Sequence, residues 1–164
     1  MLSGETSVGE YPVQVIQTMS SIIHSVENSD LISVSQKPPN IKTARFITKS
    51  VCYHAVQIAN DVQAKAVCTL TNSGYTAFQV SAWRPNSHIL VFTSNKRILT
   101  QLNLVWGVKA FYYDKMVSTD QTIADIRYQL RKLGYIKDGE FVVNIASMPI
   151  NEQGMTNMVK ISKV

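Results

Sequence analysis

Residues 66–76 read Ala66-Val67-Cys68-Thr69-Leu70-Thr71-Asn72-Ser73-Gly74-Tyr75-Thr76. Ala66 to Leu70 is a short apolar run of the length expected for a buried strand. A hydroxyl-rich turn follows, and the spacing beyond it predicts a helix from Ala77 to Trp83, stopped at Arg84-Pro85. The pattern repeats downstream. His88 to Phe92 reads as a second strand. Ser94 or Asn95 can cap a helix carrying Ile98, Leu99, Leu102 and Val105, with Gly107 as its C-cap. Val108 to Tyr112 reads as a third strand. Ser118-Thr119-Asp120-Gln121 resembles a capping box, opening a helix with Ile123, Ile126, Leu130 and Leu133 that ends at Gly134.

Phe141 to Ala146 is predicted as the fourth strand. From Asn157 to Val164 apolar Val159 and Ile161 alternate with polar Lys160 and Ser162, the period of a half-buried strand. The stretch from Ser147 to Thr156 is short for a crossover helix, so this fifth strand is expected to be antiparallel at an edge. A helix over Thr43 to Val62, with Ile47, Val51, Ala55, Ile58 and Val62 on one face, precedes the first strand. The expected fold is therefore a three-layer α/β/α domain over residues 43–164, with a mostly parallel five-stranded sheet and an antiparallel edge strand.

The N-terminal region reads differently. Residues 11–27 suit a helix, with Pro12 at its first position and Pro12, Ile16, Met19, Ile23 and Val26 on one face. Residues 28–42, rich in serine and holding Pro38-Pro39, read as a linker. Met1-Leu2-Ser3-Gly4-Glu5-Thr6 reads as a strand end turning into a loop. A single βα unit over residues 1–27 with no sheet to join suggests a piece of something larger.

Hydrophobic residues make up 45% of the 164 and charged residues 16%, a globular composition. No apolar run is long enough for a membrane span, and the polar start lacks the apolar core of a signal peptide. Cys52 and Cys68 read as buried free thiols, which suits a reducing cytoplasm. The net charge of +5 is uneven, −3 over residues 1–40 and +8 over the rest. A basic balance could serve nucleic acid or phosphorylated small molecules. The bases are scattered, however, and the densest group, Arg127-Arg131-Lys132, sits in the last turns of a helix, where cations offset the dipole. A nucleic-acid partner is not expected. Trp83, Trp106 and Tyr112-Tyr113 are expected to pack. His24, His54 and His88 are far apart, and Cys52-Tyr53-His54 lacks a second ligand pair, so no metal site is expected.

The turn after the first strand is the leading candidate site. Ligands of open α/β sheets collect at the carboxyl ends of strands. A helix start there offers unpaired N–H groups and the positive end of a dipole, both suited to phosphate. Thr71, Ser73 and Thr76 add hydroxyls, Asn72 and Tyr75 lie between them, and Gly74 lets the backbone approach closely. The alternative is an ordinary turn in which these hydroxyls cap the helix. The Gly-Lys-Ser/Thr ending of a Walker loop is absent.

Several segments resemble the pyruvate kinase family. Met1-Leu2-Ser3-Gly4-Glu5-Thr6, Gly9 and Tyr11-Pro12 are similar to the segment that closes the family's catalytic barrel. Ala64-Lys65-Ala66, Thr71-Asn72-Ser73-Gly74, Val80-Ser81 and Arg84-Pro85 resemble its C-terminal domain in the right order, and Gly154-Met155-Thr156-Asn157 resembles its closing motif. The resemblance implies phosphoryl transfer from phosphoenolpyruvate to ADP with Mg²⁺ and K⁺, chemistry of positioning and charge neutralisation. It implies that residues 1–27 are the last loop and helix of a TIM barrel. Ser3 and Glu5 would then lie at the catalytic face but would be incomplete on their own, with no cofactor held by this stretch itself. It also implies a homotetramer, contact with the chain's own barrel, and a phosphorylated effector at Thr71, Asn72, Ser73, Gly74, Tyr75, Thr76 and Gly154. Thr122 and Lys115 stand where the fructose-bisphosphate pattern has arginine and tryptophan. The loop from Ser147 to Gly154 lacks the Trp-Arg pair. A second phosphate needs such cations, so one phosphate group is the better expectation. A free-standing sensor of the same fold is the alternative.

Overall fold

The computed structural model describes residues 1–29, 37–115, 117–149 and 155–164, and the chain divides into two compact units, residues 1–35 and 36–164. The first holds α1 (Gly4–Ser7) and α2 (Pro12–Glu27). The start, expected as a strand end and loop, instead forms a helical turn capped at Ser3. Pro12 opens α2 as expected, since its missing N–H would have no partner there. The apolar stripe is present but buries nothing: no residue of α2 is buried, and Val13, Ile16, Ile22 and Ile23 are at least half exposed.

The second unit runs α3 (Phe46–Asp61), β1 (Ala66–Leu70), α4 (Tyr75–Ala82), β2 (His88–Thr93), α5 (Lys96–Leu102), β3 (Val108–Tyr112), α6 (Thr119–Lys132), β4 (Phe141–Ala146) and β5 (Met158–Lys163). The sheet order is β3-β2-β1-β4-β5, with β5 antiparallel to β4 and every other pairing parallel. The chain steps outward from β1 to β3 through α4 and α5, then returns through α6 to the far side of β1. Right-handed crossovers put helices of opposite stepping direction on opposite faces. The cores follow that rule. Val67, Ile89, Val91, Val143 and Ile145 face Cys52, Ala55, Val56, Ala59, Ala77, Val80 and Leu102 of α3, α4 and α5. Ala66, Cys68, Leu90, Phe92 and Val142 face Ile126 and Leu130 of α6. The result is a three-layer α/β/α domain.

Several local expectations shift. The buried face of α3 is Thr48, Cys52, Ala55, Val56 and Ala59, while Ile47 is exposed. Small residues let α3 lie close to α4 and the sheet, and Val51, Ile58 and Val62 flank the contact. Helix α5 ends at Leu102 with Asn103 as its C-cap, so Gly107, at φ +68, introduces β3 instead of closing α5. Gly134 does close α6: the Tyr135 N–H returns to Leu130 O and the Gly134 N–H to Arg131 O. At the other end of α6, Ser118 Oγ accepts from Gln121 N as expected, but the Gln121 side chain accepts from the Ser118 hydroxyl, so only half of the expected capping box forms.

Candidate functional site

Strand β1 lies at the sheet centre, and the order of connections reverses between β1 and β4. The carboxyl ends of these neighbours form the topological switch point, the crevice where ligands of open α/β sheets bind. The turn from Thr71 to Thr76 leaves β1 at this point. Thr71 N bonds Phe92 O at 3.1 Å, which ties the start of the turn to β2. Thr71 Oγ1 then accepts from Gly74 N at 3.0 Å, closing the turn internally.

Gly74 is the N-cap of α4 and adopts φ +78, which side chains disfavour. A Cβ there would meet Ile98 Cγ2 at 3.1 Å. Gly74 thus starts α4 at Tyr75, two residues earlier than expected, and puts the N–H groups of Tyr75, Thr76 and Ala77 in its first turn without intrahelical acceptors. Asn72 and Ser73 are exposed at the lip of the turn. Ser73 Oγ makes one long contact, 3.5 Å from Tyr75 N. Asn95 supports the turn from beneath: its Nδ2 donates to Asn72 O at 3.2 Å while its Oδ1 caps α5 by accepting from Arg97 N and Ile98 N.

Thr76 faces inward. Its hydroxyl lies 3.1 Å from that of Thr156, just before β5, and Thr156 N donates to Thr48 Oγ1 on α3 at 3.3 Å. All three threonines are buried. The first turns of α3 and α4 and the segment entering β5 are therefore joined through three hydroxyl side chains. Asn157 fixes that segment to the end of β4, accepting from Met148 N at 2.8 Å and donating to Met148 O at 2.9 Å. A cation also stands at the site. Arg45, the N-cap of α3, has a left-handed backbone (φ 56) and carries its guanidinium 4.6 Å from the centre of the Tyr75 ring.

Of the expected site residues, Thr71 through Thr76 thus share one turn, with Thr71 and Thr76 hydroxyls engaged internally and Asn72 and Ser73 facing outward. Gly154 lies outside the described residues. Sequence reasoning missed Arg45, Thr48 and Thr156 as neighbours of the turn. Only the Thr156-Asn157 motif carried a signal for them. Thr122 is buried on α6 with no partner for Oγ1 among the described residues, and Lys115 is exposed with its carbonyl accepting from Tyr113 OH.

In the first unit Ser3 Oγ donates to Glu5 Oε2 at 3.0 Å. Hydrogen bonds from the Glu5 backbone, then from the Ser3 side chain, hold the Glu5 carboxyl below its ordinary value. Among the described residues no group of three or more His, Cys, Asp or Glu side chains is placed to hold a metal ion. No helix of the described residues is long and apolar enough to cross a membrane.

A five-stranded sheet with helices on both faces, whose central strand runs through a polar turn into a glycine-capped helix, defines the class: an open three-layer α/β domain. The pyruvate kinase alpha/beta domain model matches residues 49–162, and the chain belongs to the pyruvate kinase family. It is 34% identical to a pyruvate kinase of Clostridium acetobutylicum across 100% of its own length and 35% of the relative's. It is likewise 34% identical to a pyruvate kinase of Mycobacterium tuberculosis, covering 100% of the chain and 34% of that protein. A crystal structure of a pyruvate kinase from Cryptosporidium parvum superimposes with a TM-score of 0.80 at 24% identity, over 99% of this chain and 32% of that one. The chain spans about a third of the length of these relatives.

Proposed function

We propose that this chain serves as the regulatory C-terminal part of a pyruvate kinase, the cytoplasmic glycolytic enzyme that converts phosphoenolpyruvate and ADP to pyruvate and ATP. In this reading the turn from Thr71 to Thr76 binds one phosphate group of an effector, such as a hexose or pentose phosphate. The observation that carries it is the junction of Thr48, Thr76 and Thr156 beneath the first turn of α4. A dianion on the open N–H groups of that turn would be stabilised by the helix dipole and by Arg45. Because the same turn is bonded to α3 and to the approach to β5, binding there stiffens three segments together, which is how an effector biases a distant partner surface.

The phosphoryl-transfer groups belong to the barrel of the whole protein. Ser3 and Glu5 assist there, and alone they give no turnover. The domain also contributes to a homotetramer.

The test is calorimetry with inorganic phosphate and glucose 6-phosphate. Saturable binding is expected, weakened about tenfold in Ser73→Ala, the weight of one hydrogen bond to a charged group. Unchanged binding in that variant would sink the assignment. A coupled assay of the purified chain is expected to give no ATP from phosphoenolpyruvate, and turnover would overturn that part.

A further inference from the structure

Strand β3 is an edge of the sheet, paired with β2 alone. Tyr113 N donates to Thr93 O of β2 at 2.9 Å. In a parallel pair the N–H and C=O of one residue point the same way, and successive residues alternate. Lys109, Phe111 and Tyr113 therefore bond β2, while Ala110 and Tyr112 turn both backbone groups outward. The carbonyl of Val108 turns outward with them, whereas its N–H donates to Val105 O at 3.2 Å. An open row of donors and acceptors runs along the strand.

The side chains beside this row alternate between the two faces. On the α6 face Phe111 stacks on Phe92, ring centres 5.2 Å apart, and meets the Tyr135 ring at 5.6 Å. Phe111 and Tyr135 border the core that α6 closes, and both stay half-buried. Lys109 holds its ammonium 4.9 Å from the centre of the Tyr135 ring. On the other face Tyr112 is exposed, with the Lys96 ammonium of α5 at 5.6 Å from its ring centre. Lys115 is exposed just beyond the strand. Among the described residues no carboxylate pairs with any of these three lysines. Asp114, the acid between them, accepts from Tyr112 OH at 3.3 Å.

An extended peptide laid beside β3 would complete its ladder, and what it meets there sets its chemistry. An apolar side chain on the α6 face would cover Phe111 and Tyr135. Carboxylates would answer Lys96, Lys109 and Lys115. A second copy of the chain is the wrong occupant. Pairing two β3 edges brings two sets of lysines together, and lysine on an edge strand opposes such pairing.

We propose that the outer edge of β3 is a docking site for an acidic, extended peptide segment of a partner protein, which adds to the sheet as a further strand. The charge complementarity of the three unpaired lysines selects this occupant. The edge is independent of the turn at Thr71 to Thr76, with which it shares no residue.

The test uses the full chain and the peptide acetyl-Glu-Val-Glu-Val-Glu-Val-Glu-amide, whose valines line one face and glutamates the other. Calorimetry is expected to show saturable binding that weakens as salt rises. The same peptide with lysine in place of glutamate is expected to bind at least about tenfold more weakly. Lys96→Gln/Lys109→Gln is expected to weaken the acidic peptide about tenfold. Both residues are exposed, so its unfolding temperature is expected to match the parent chain and verify its fold. Only alternate peptide N–H groups can face β3. Methylating the valine nitrogens and methylating the glutamate nitrogens are therefore expected to differ, one abolishing binding and the other sparing it. On binding, amide exchange at Ala110 and Tyr112 is expected to slow, while Lys109 and Phe111, already bonded to β2, stay as they were. Absence of saturable binding, equal binding of the lysine peptide, or unchanged binding in the folded double variant would overturn the proposal. So would equal effects of the two methylations or unchanged exchange at Ala110 and Tyr112. Protection of those two amides that grows with chain concentration, without peptide, would overturn it in favour of a second copy.

Discussion

The hydroxyl of Thr76 lies 3.1 Å from the hydroxyl of Thr156, although 80 residues separate them in the chain. Both are buried, and each is the other's local answer to desolvation. Removing one leaves a buried hydroxyl without its partner, which costs about 1–3 kcal/mol. Thr76→Val and Thr156→Val are each expected to lower stability by about that amount in urea unfolding. The double variant is expected to lose less than the sum, because it leaves no orphan. Additive losses would mean that the contact carries no coupling.

Gly74 sits where a side chain has neither the torsion nor the room. Gly74→Ala forces a left-handed alanine and presses its Cβ on Ile98. A loss of about 1–3 kcal/mol is expected, read from the denaturant midpoint. Ile98→Ala, which removes Cγ2, is expected to cost less in the Gly74→Ala background than in the parent chain. Equal costs in the two backgrounds would assign the whole loss at Gly74 to the backbone.

Asn95 holds two structures with one side chain, the start of α5 and the carbonyl of Asn72. Asn95→Ala is expected to cost about 1–2 kcal/mol, as other lost caps do. Asn95→Asp keeps the cap but cannot donate to Asn72. It is expected to retain most of the stability while loosening the turn, seen as faster amide exchange at Ser73 to Thr76.

The thiols of Cys52 and Cys68 are pushed up to about 12 by burial, from an ordinary value of 9.0. Their folded values lie above the unfolded ones, so the stability they contribute is complete below pH 9 and is lost as pH rises toward 12. The slope is about 1.4 kcal/mol per pH unit for each thiol in that window. Denaturant midpoints at pH 8 and 10 are expected to fall with pH. In Cys52→Ala/Cys68→Ala the fall is expected to shrink. A thiol reagent at pH 8 is expected to label neither cysteine before unfolding.

All five strands were legible because each is a short apolar run between helical periods, and β5 also showed its alternation. Their order was not legible. Which side of β1 receives β4 depends on the face that α6 covers, and no local pattern in residues 119–132 states it. The face of α3 was misread for a related reason. Ile47 is as apolar as Val51, but close packing selected the small residues Ala55 and Ala59 and left Ile47 to solvent. At the site, the turn could be read from its own residues and from the resemblance. Arg45, Thr48 and Thr156 could not, because contacts across 80 or 108 positions leave no periodic trace.

The Thr76–Thr156 contact has a consequence for the order in which the molecule is made. Ribosomes add roughly 5–20 residues per second, so Thr156 emerges about 4–16 s after Thr76. Once Tyr112 has emerged, β1 to β3 and their helices have sequence enough to pack, while the buried hydroxyl of Thr76 still lacks its partner. A nascent chain stopped before residue 156 therefore carries the turn without the contact that fixes it.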